Sequence, residues 1–259
     1  NGAQRWIYIT KTLSFQPSEI VKFLVIVFYA GILVKNRDDL PYFWKGLVKH
    51  ICMVAPLIAL LILEPHFSAS IGIVCIMMIV AGCKFSQFVA VGGGVGIPAI
   101  VLLIVKSPYR LKRVVSFLDP WKDATDTGWQ VIQSLYAIGS GGLFGVGLGD
   151  SKQKYLYIPE PHNDFIFSII GEELGFVGCT VIIVLFAIFI WRGILIAMRA
   201  PDMFGSLVAV GITALVGIQV IINIAVVTSS MPATGMPLPF FSYGGTALFI
   251  LLCQMGVLL

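Results

Sequence analysis

The sequence predicts an all-α integral membrane protein, a polytopic bundle with about seven transmembrane helices. Three observations carry that prediction. Hydrophobic residues make up 58% of the chain and charged residues 12%, about half the charged share of a soluble domain. Mean hydropathy is +0.95. The apolar residues fall in long unbroken runs, where a membrane β-barrel would show short alternating strands.

The runs place spans at about 18–35, 48–64, 66–83, 86–106, 164–191, 204–229 and 243–259. The first follows Gln16-Pro17-Ser18 and opens with Glu19 and Lys22, one helical turn apart and read as a structural ion pair. The second and third meet at Glu64-Pro65-His66. The sixth carries Gln219 and Asn223 at helical spacing, which suits hydrogen bonding between helices. Pro232, Pro237 and Pro239, ahead of Phe240-Phe241-Ser242-Tyr243-Gly244-Gly245, predict an ordered re-entry into the last span. The chain starts at Asn1 without Met and stops inside an apolar run, so both ends read as cut.

The polar segment 107–163 holds most of the chemistry outside the membrane. Trp129, Ile132 and Tyr136 share one face of a helix expected to lie on the membrane surface. The glycines from Gly139 to Gly149 match a phosphate loop poorly and read as a flexible connector. Lys and Arg in the short loops put 107–163 outside, because long segments bias orientation less than short ones.

Net charge is +4, ordinary beside anionic lipid, and no Lys/Arg stripe with interleaved aromatics points to nucleic acid. Nucleotide-binding fingerprints are absent. Cys52, Cys75, Cys83, Cys179 and Cys253 lie in or beside apolar runs without C-x-x-C spacing and read as packing residues. No metal motif is present. Asp119, Asp123, Asp126 and Asp150 are carboxylates of a solvated loop, a setting that rarely binds a cation.

The sharpest feature is Asp164, where Pro159-Glu160-Pro161-His162-Asn163-Asp164 runs into the apolar Phe165-Ile166-Phe167. An ionisable group at a membrane boundary is costly unless used or compensated. If the helix starts there, Ser168, Gly171, Gly175 and Gly178 fall within about 40° of Asp164 on the wheel. The stripe has two readings: an N-cap over a plain helix-packing track, or a carboxylate above a groove for a lipid chain. Arg110, Arg113, Lys152 and Lys154 suit a phosphate-bearing substrate, Arg by paired hydrogen bonds and Lys as a point charge. A basic loop facing lipid headgroups is the alternative.

Six segments together resemble the SEDS family (shape, elongation, division and sporulation). They are Asn1-Gly2 with Arg5-Trp6-Ile7, Phe15 to Glu19, Pro108-Tyr109-Arg110 through Pro120-Trp121, Gln133 to Ala137, Tyr157 through Gly175, and Leu238 through Gly245. They cover the chain in family order. The chain looks closest to the division and sporulation branch, and Phe144-Gly145 and Trp191-Arg192-Gly193 with Ala200-Pro201-Asp202 lean toward its sporulation member. Two positions depart: Asn163 stands where Thr is commoner, and His66 follows Glu64-Pro65 where the family shows Gln-Pro-Asp.

The resemblance implies a ten-helix protein of the bacterial cytoplasmic (inner) membrane. This chain would be a single SEDS-type domain over 1–259 lacking the first three helices, with 107–163 extracytoplasmic. It implies a peptidoglycan glycosyltransferase that polymerises lipid II during division or sporulation beside a class B penicillin-binding protein. Asp164 maps onto the essential aspartate, as general base. Arg110, Arg113, Lys152 and Lys154 would hold pyrophosphate, with or without a divalent cation (Mg or Mn), and Ser168, Gly171 and Gly175 would line the substrate's path. The alternatives are a lipid II flippase, whose broken helices and intramembrane polar groups would serve transport, and a scaffold recruiting the penicillin-binding protein.

Overall fold

The computed structural model describes residues 7–8, 14–36, 108–123, 128–153 and 162–259, with isolated positions between 52 and 105. The expected spans 48–64, 66–83 and 86–106 lie outside the described residues, as do His66 and Lys154. A two-stranded antiparallel ribbon, β1 (Ile7–Tyr8) and β2 (Ser14–Phe15), precedes the helices. In chain order the helices are α1 (Pro17–Lys35), α2 (Pro108–Leu118), α3 (Trp129–Gly141), α4 (Ile166–Arg199), α5 (Met203–Val227) and α6 (Gly245–Leu258). Among the described residues α1, α4 and α5 are long and apolar enough to cross a membrane, and α6 is a shorter apolar helix. The protein is an integral membrane protein.

The chain divides into two compact units. One holds α1, residues 188–199 of α4, residues 203–218 of α5, and α6. Pro17 opens α1 at a position where the missing N–H is no loss. Glu19 and Lys22 form the expected pair, Nζ to Oε1 at 2.7 Å. Ser18, Lys22, Val25, Ile26, Tyr29, Ala30 and Leu33 form its buried face, the helical period in the sequence made physical. The core of this unit joins Ala30, Ala197, Val208, Ala209, Ile212 and Leu258. Small residues let helices close up without a hydrophobic drive: a Cβ on Gly193 would land on the Thr213 side chain. The turn into α5 follows Pro201, where Asp202 Oδ2 accepts from Gly205 N (2.9 Å), a standard N-cap.

The other unit holds residues 84–187 and 219–243. Here α3 departs from the surface helix expected of it. Val131, Ile132, Gln133, Ser134 and Ala137 are buried, so one side of α3 packs into the protein; of the expected apolar face Ile132 is buried, Trp129 half-buried and Tyr136 exposed. The reason lies at the C-terminus of α5, whose last carbonyls need partners. Ser134 Oγ donates to Val227 O (2.9 Å). Thr228 N and Oγ1 reach Ile224 O, Ser229 N reaches Val226 O, and Ser230 N and Met231 N reach Ala225 O. Ser229, at φ 53, turns the chain out of the helix.

The glycine run is not a flexible connector. Helix α4 breaks at Gly175 (φ 68, ψ −167). A break there releases Glu172 O and Glu173 O, and the Phe176 and Val177 N–H groups, from their mutual i→i+4 bonds. The loop after α3 takes up all four. Val146 N donates to Glu172 O (2.9 Å) and Gly147 N to Glu173 O (3.2 Å). Phe176 N donates to Gly142 O (2.9 Å) and Val177 N to Leu143 O (3.1 Å). The glycines are required by this approach: a Cβ on Gly141 would strike Gly171 O, and one on Gly145 would strike Glu173 O.

Candidate active site

Asp164 belongs to the turn 162–164, and α4 begins only at Ile166. With the break at Gly175 as well, the continuous stripe from Asp164 to Gly178 does not exist. Ser168 is fully buried, its hydroxyl donating to Phe165 O (2.6 Å) within the first turn. Gly171 and Gly175 are buried against this chain's own residues. A Cβ on Gly171 would stand 3.3 Å from Ile138 Cγ1, and one on Gly175 2.6 Å from Leu143 O. The glycine face is filled by α3 and its loop, so a polyprenyl groove along it is overturned.

What lies beside Asp164 instead is the proline-rich segment 231–243. The half-buried carboxylate lies against Gly235, where a Cβ would stand 3.2 Å from Oδ2. Gly235 adopts φ 73, which only glycine takes without strain. Asn223, 1% exposed on α5, joins the two segments: Nδ2 donates to Asp164 O and to Met236 O, each at 2.8 Å. Ser242 Oγ accepts from Leu238 N (2.7 Å) and donates to Asn163 O (2.5 Å). Tyr243 N donates to His162 O (2.8 Å). The carbonyls of His162, Asn163 and Asp164 are thus each hydrogen-bonded. Phe240, at φ 67, sits in the turn that presents Ser242, the kind of backbone strain that gathers at functional sites.

Of the basic residues, Arg113 is half-buried and its Nη1 donates to Ala233 O (3.0 Å), two residues from Gly235. It braces the segment opposite Asp164. Arg110 lies in the first turn of α2. Lys152 is exposed, in a segment tied to α4. Glu172, 2% exposed, accepts from Ser151 Oγ (2.5 Å), Lys152 N (3.1 Å) and Gln153 N (3.3 Å). Asp119 pairs with Lys122 (3.3 Å), and no cluster of His, Cys, Asp or Glu able to hold a metal occurs among the described residues. Cys52, Cys179 and Cys253 are free thiols.

The sequence reading assigned Asn223 to helix pairing and passed over Ser242 and Gly235. The signal for Asn223 was an amide in an otherwise apolar span. For the other two it was the proline cluster that demands a fixed loop.

The stage V sporulation protein E of Bacillus subtilis is 46% identical over 262 residues, covering 100% of this chain and 71% of that protein. A probable peptidoglycan glycosyltransferase FtsW of Geobacter sp. is 43% identical, again over 100% and 71%. Among solved structures, a chain of a peptidoglycan synthase complex superposes with TM-score 0.76 at 29% identity, covering 100% of this chain and 72% of that one. The rod shape determining protein RodA of Thermus thermophilus does so with TM-score 0.67 at 27% identity, over 100% and 69%. The cell cycle protein family FtsW/RodA/SpoVE matches residues 1–259, and the chain belongs to that family.

Proposed function

We propose that this chain is a peptidoglycan glycosyltransferase that polymerises lipid II at the outer face of the bacterial cytoplasmic membrane, with 1–259 as one SEDS-type domain and 107–163 extracytoplasmic. The observation that carries the reading is the Asp164 turn, its carbonyls bonded to Asn223, Ser242 and Tyr243 N ahead of a membrane-spanning helix. Such bracing fixes a base to within the tolerance that oriented reaction demands. The names of the FtsW relatives point the same way.

In the reaction, the acceptor's sugar hydroxyl attacks the donor's anomeric carbon. The new C–O bond forms as the bond to undecaprenyl pyrophosphate breaks, and the hydroxyl proton passes to Asp164 as general base. Negative charge grows on the departing pyrophosphate, where cations are worth most. Arg110 and Lys154 meet that growing charge, while Lys152 holds the pyrophosphate charge that the donor already carries, equally before and during reaction. Arg113 contributes by holding the segment that faces Asp164. A single carboxylate at the reacting centre suits direct displacement with inversion. The partner is a class B penicillin-binding protein that crosslinks the product.

The test uses the full-length protein with its penicillin-binding partner, the partner's transpeptidase blocked, and glycan strands resolved by gel. Wild type is expected to make strands, and a folded, partner-bound Asp164→Asn to make none. Strands from Asp164→Asn would remove the base. No strands from verified wild type would replace the polymerase with a flippase or scaffold.

A further inference from the structure

Glu172 is a charged side chain placed almost wholly out of solvent, and the mechanism above does not use it. Its carboxylate takes the Ser151 hydroxyl and the amides of Lys152 and Gln153, while Glu173 Oε1 takes Ser151 N (3.4 Å). Three successive amides therefore turn toward carboxylates of α4. Such a run of N–H groups is an anion-binding nest, here filled by the protein's own side chains. With its amides and Ser151 bound inward, the segment presents Lys152 outward, and Lys152 is exposed.

The place of the anchor matters as much as its strength. Glu172 lies on the same unbroken helical piece, Ile166–Leu174, that follows the Asp164 turn, ahead of the break at Gly175. The start of that piece and Glu172 are separated by about 9 Å of helix rise, a gap that a lysine side chain and a pyrophosphate together can span. Glu172 thus holds residues 151–153, and Asn223, Ser242 and Tyr243 N hold residues 162–164. We infer that Glu172 is a positioning residue: its buried carboxylate holds Ser151–Gln153 and so sets the point from which Lys152 meets the donor's pyrophosphate. This rests on the glycosyltransferase reading for its ligand, while the anchoring can be tested without it.

The experiment measures KM and kcat for lipid II with the full-length protein and its partner, comparing wild type, Glu172→Gln, Lys152→Ala and the double variant. Each single change is expected to raise KM about tenfold, the scale of one lost charge-assisted contact, with kcat within about twofold. The double variant should be no worse than Lys152→Ala alone, because Glu172 acts through Lys152. Additive losses, or a fall in kcat in place of the rise in KM, would overturn the inference. Ser151→Ala serves if Glu172→Gln does not fold. It should raise KM in the same direction and speed hydrogen exchange at the amides of residues 151–153, and no change in either would overturn the inference. If wild type makes no polymer, the glycosyltransferase reading fails by itself. Exchange at 151–153 in the variants then decides the anchoring: faster exchange upholds it and unchanged protection overturns it.

Discussion

Replacing Gly175 with alanine should destabilise the protein by about 3 kcal/mol, and two routes lead to that figure. If the break survives, residue 175 keeps φ 68 with ψ −167, a region essentially reserved for glycine and worth about 1–3 kcal/mol of strain elsewhere. The added Cβ would also stand 2.6 Å from Leu143 O and collide with Gly145 N. Leu143 O is bound by Val177 N of α4 and Gly145 N is bound to Gly141 O, so neither backbone atom can swing aside. If α4 straightens instead, Phe176 N and Val177 N recover Glu172 O and Glu173 O, and the four bonds to residues 142–147 are lost. The balance is two bonds fewer, at about 1 kcal/mol each, with four groups of the loop left without protein partners. Converted with the response of a chain this size, about 3 kcal/mol lowers Tm by roughly 6–12 °C. The assay is thermal unfolding of the detergent-purified protein, followed by tryptophan fluorescence. Gly139→Ala is the control, since its Cβ would meet nothing within 4 Å and alanine favours a helix. A Gly175→Ala protein melting within about 1 °C of wild type would refute the argument.

Asn223→Leu keeps the branched outline of the side chain but releases Asp164 O and Met236 O. It should slow single-turnover polymerisation about 10- to 100-fold, from one to two buried hydrogen bonds, and an unchanged rate would show that the Asp164 turn needs no brace. Ser134→Ala removes the bond to Val227 O. A drop in Tm of about 2–4 °C, with activity per folded molecule retained, would show that α3 stabilises the end of α5 without taking part in the chemistry.

How much of this was legible in the sequence depends on which residues the membrane constrains. The spans of α1, α4, α5 and α6 could be read to within a few residues, except that α4 runs on to Arg199, because hydropathy alone marks them. The Glu19–Lys22 pair follows from helical spacing. Asp164 stood out because its charge sits at a boundary. The stripe below it was misread for one reason: a wheel assumes constant rotation, and Gly175 interrupts it. Nothing local distinguishes a glycine that breaks a membrane helix from one that packs it. The difference is made by residues 142–147, which come earlier in the chain and supply the missing partners. Of Trp129, Ile132 and Tyr136, assigned to lipid by periodicity, Ile132 is 4% and Tyr136 52% exposed, so the protein takes up only part of that face, on the side where Ser134 reaches Val227 O of α5.

The break in α4 and the candidate site are consequences of one constraint. In a membrane no water completes an interrupted hydrogen-bond ladder, so an open turn survives only where protein backbone fills it. Residues 142–147 can do so only if glycines let two backbones approach to hydrogen-bond distance. Once that loop is docked on Glu172 O and Glu173 O, the chain emerging from it at Ser151 lies beside the side chains of those two glutamates. Their carboxylates then have amides within reach, and residues 151–153, which would otherwise be a solvated loop, acquire a fixed place beside α4. On this reasoning Gly145 and Glu172 serve one end. The glycine permits the approach, and the carboxylate turns it into a defined position for Lys152.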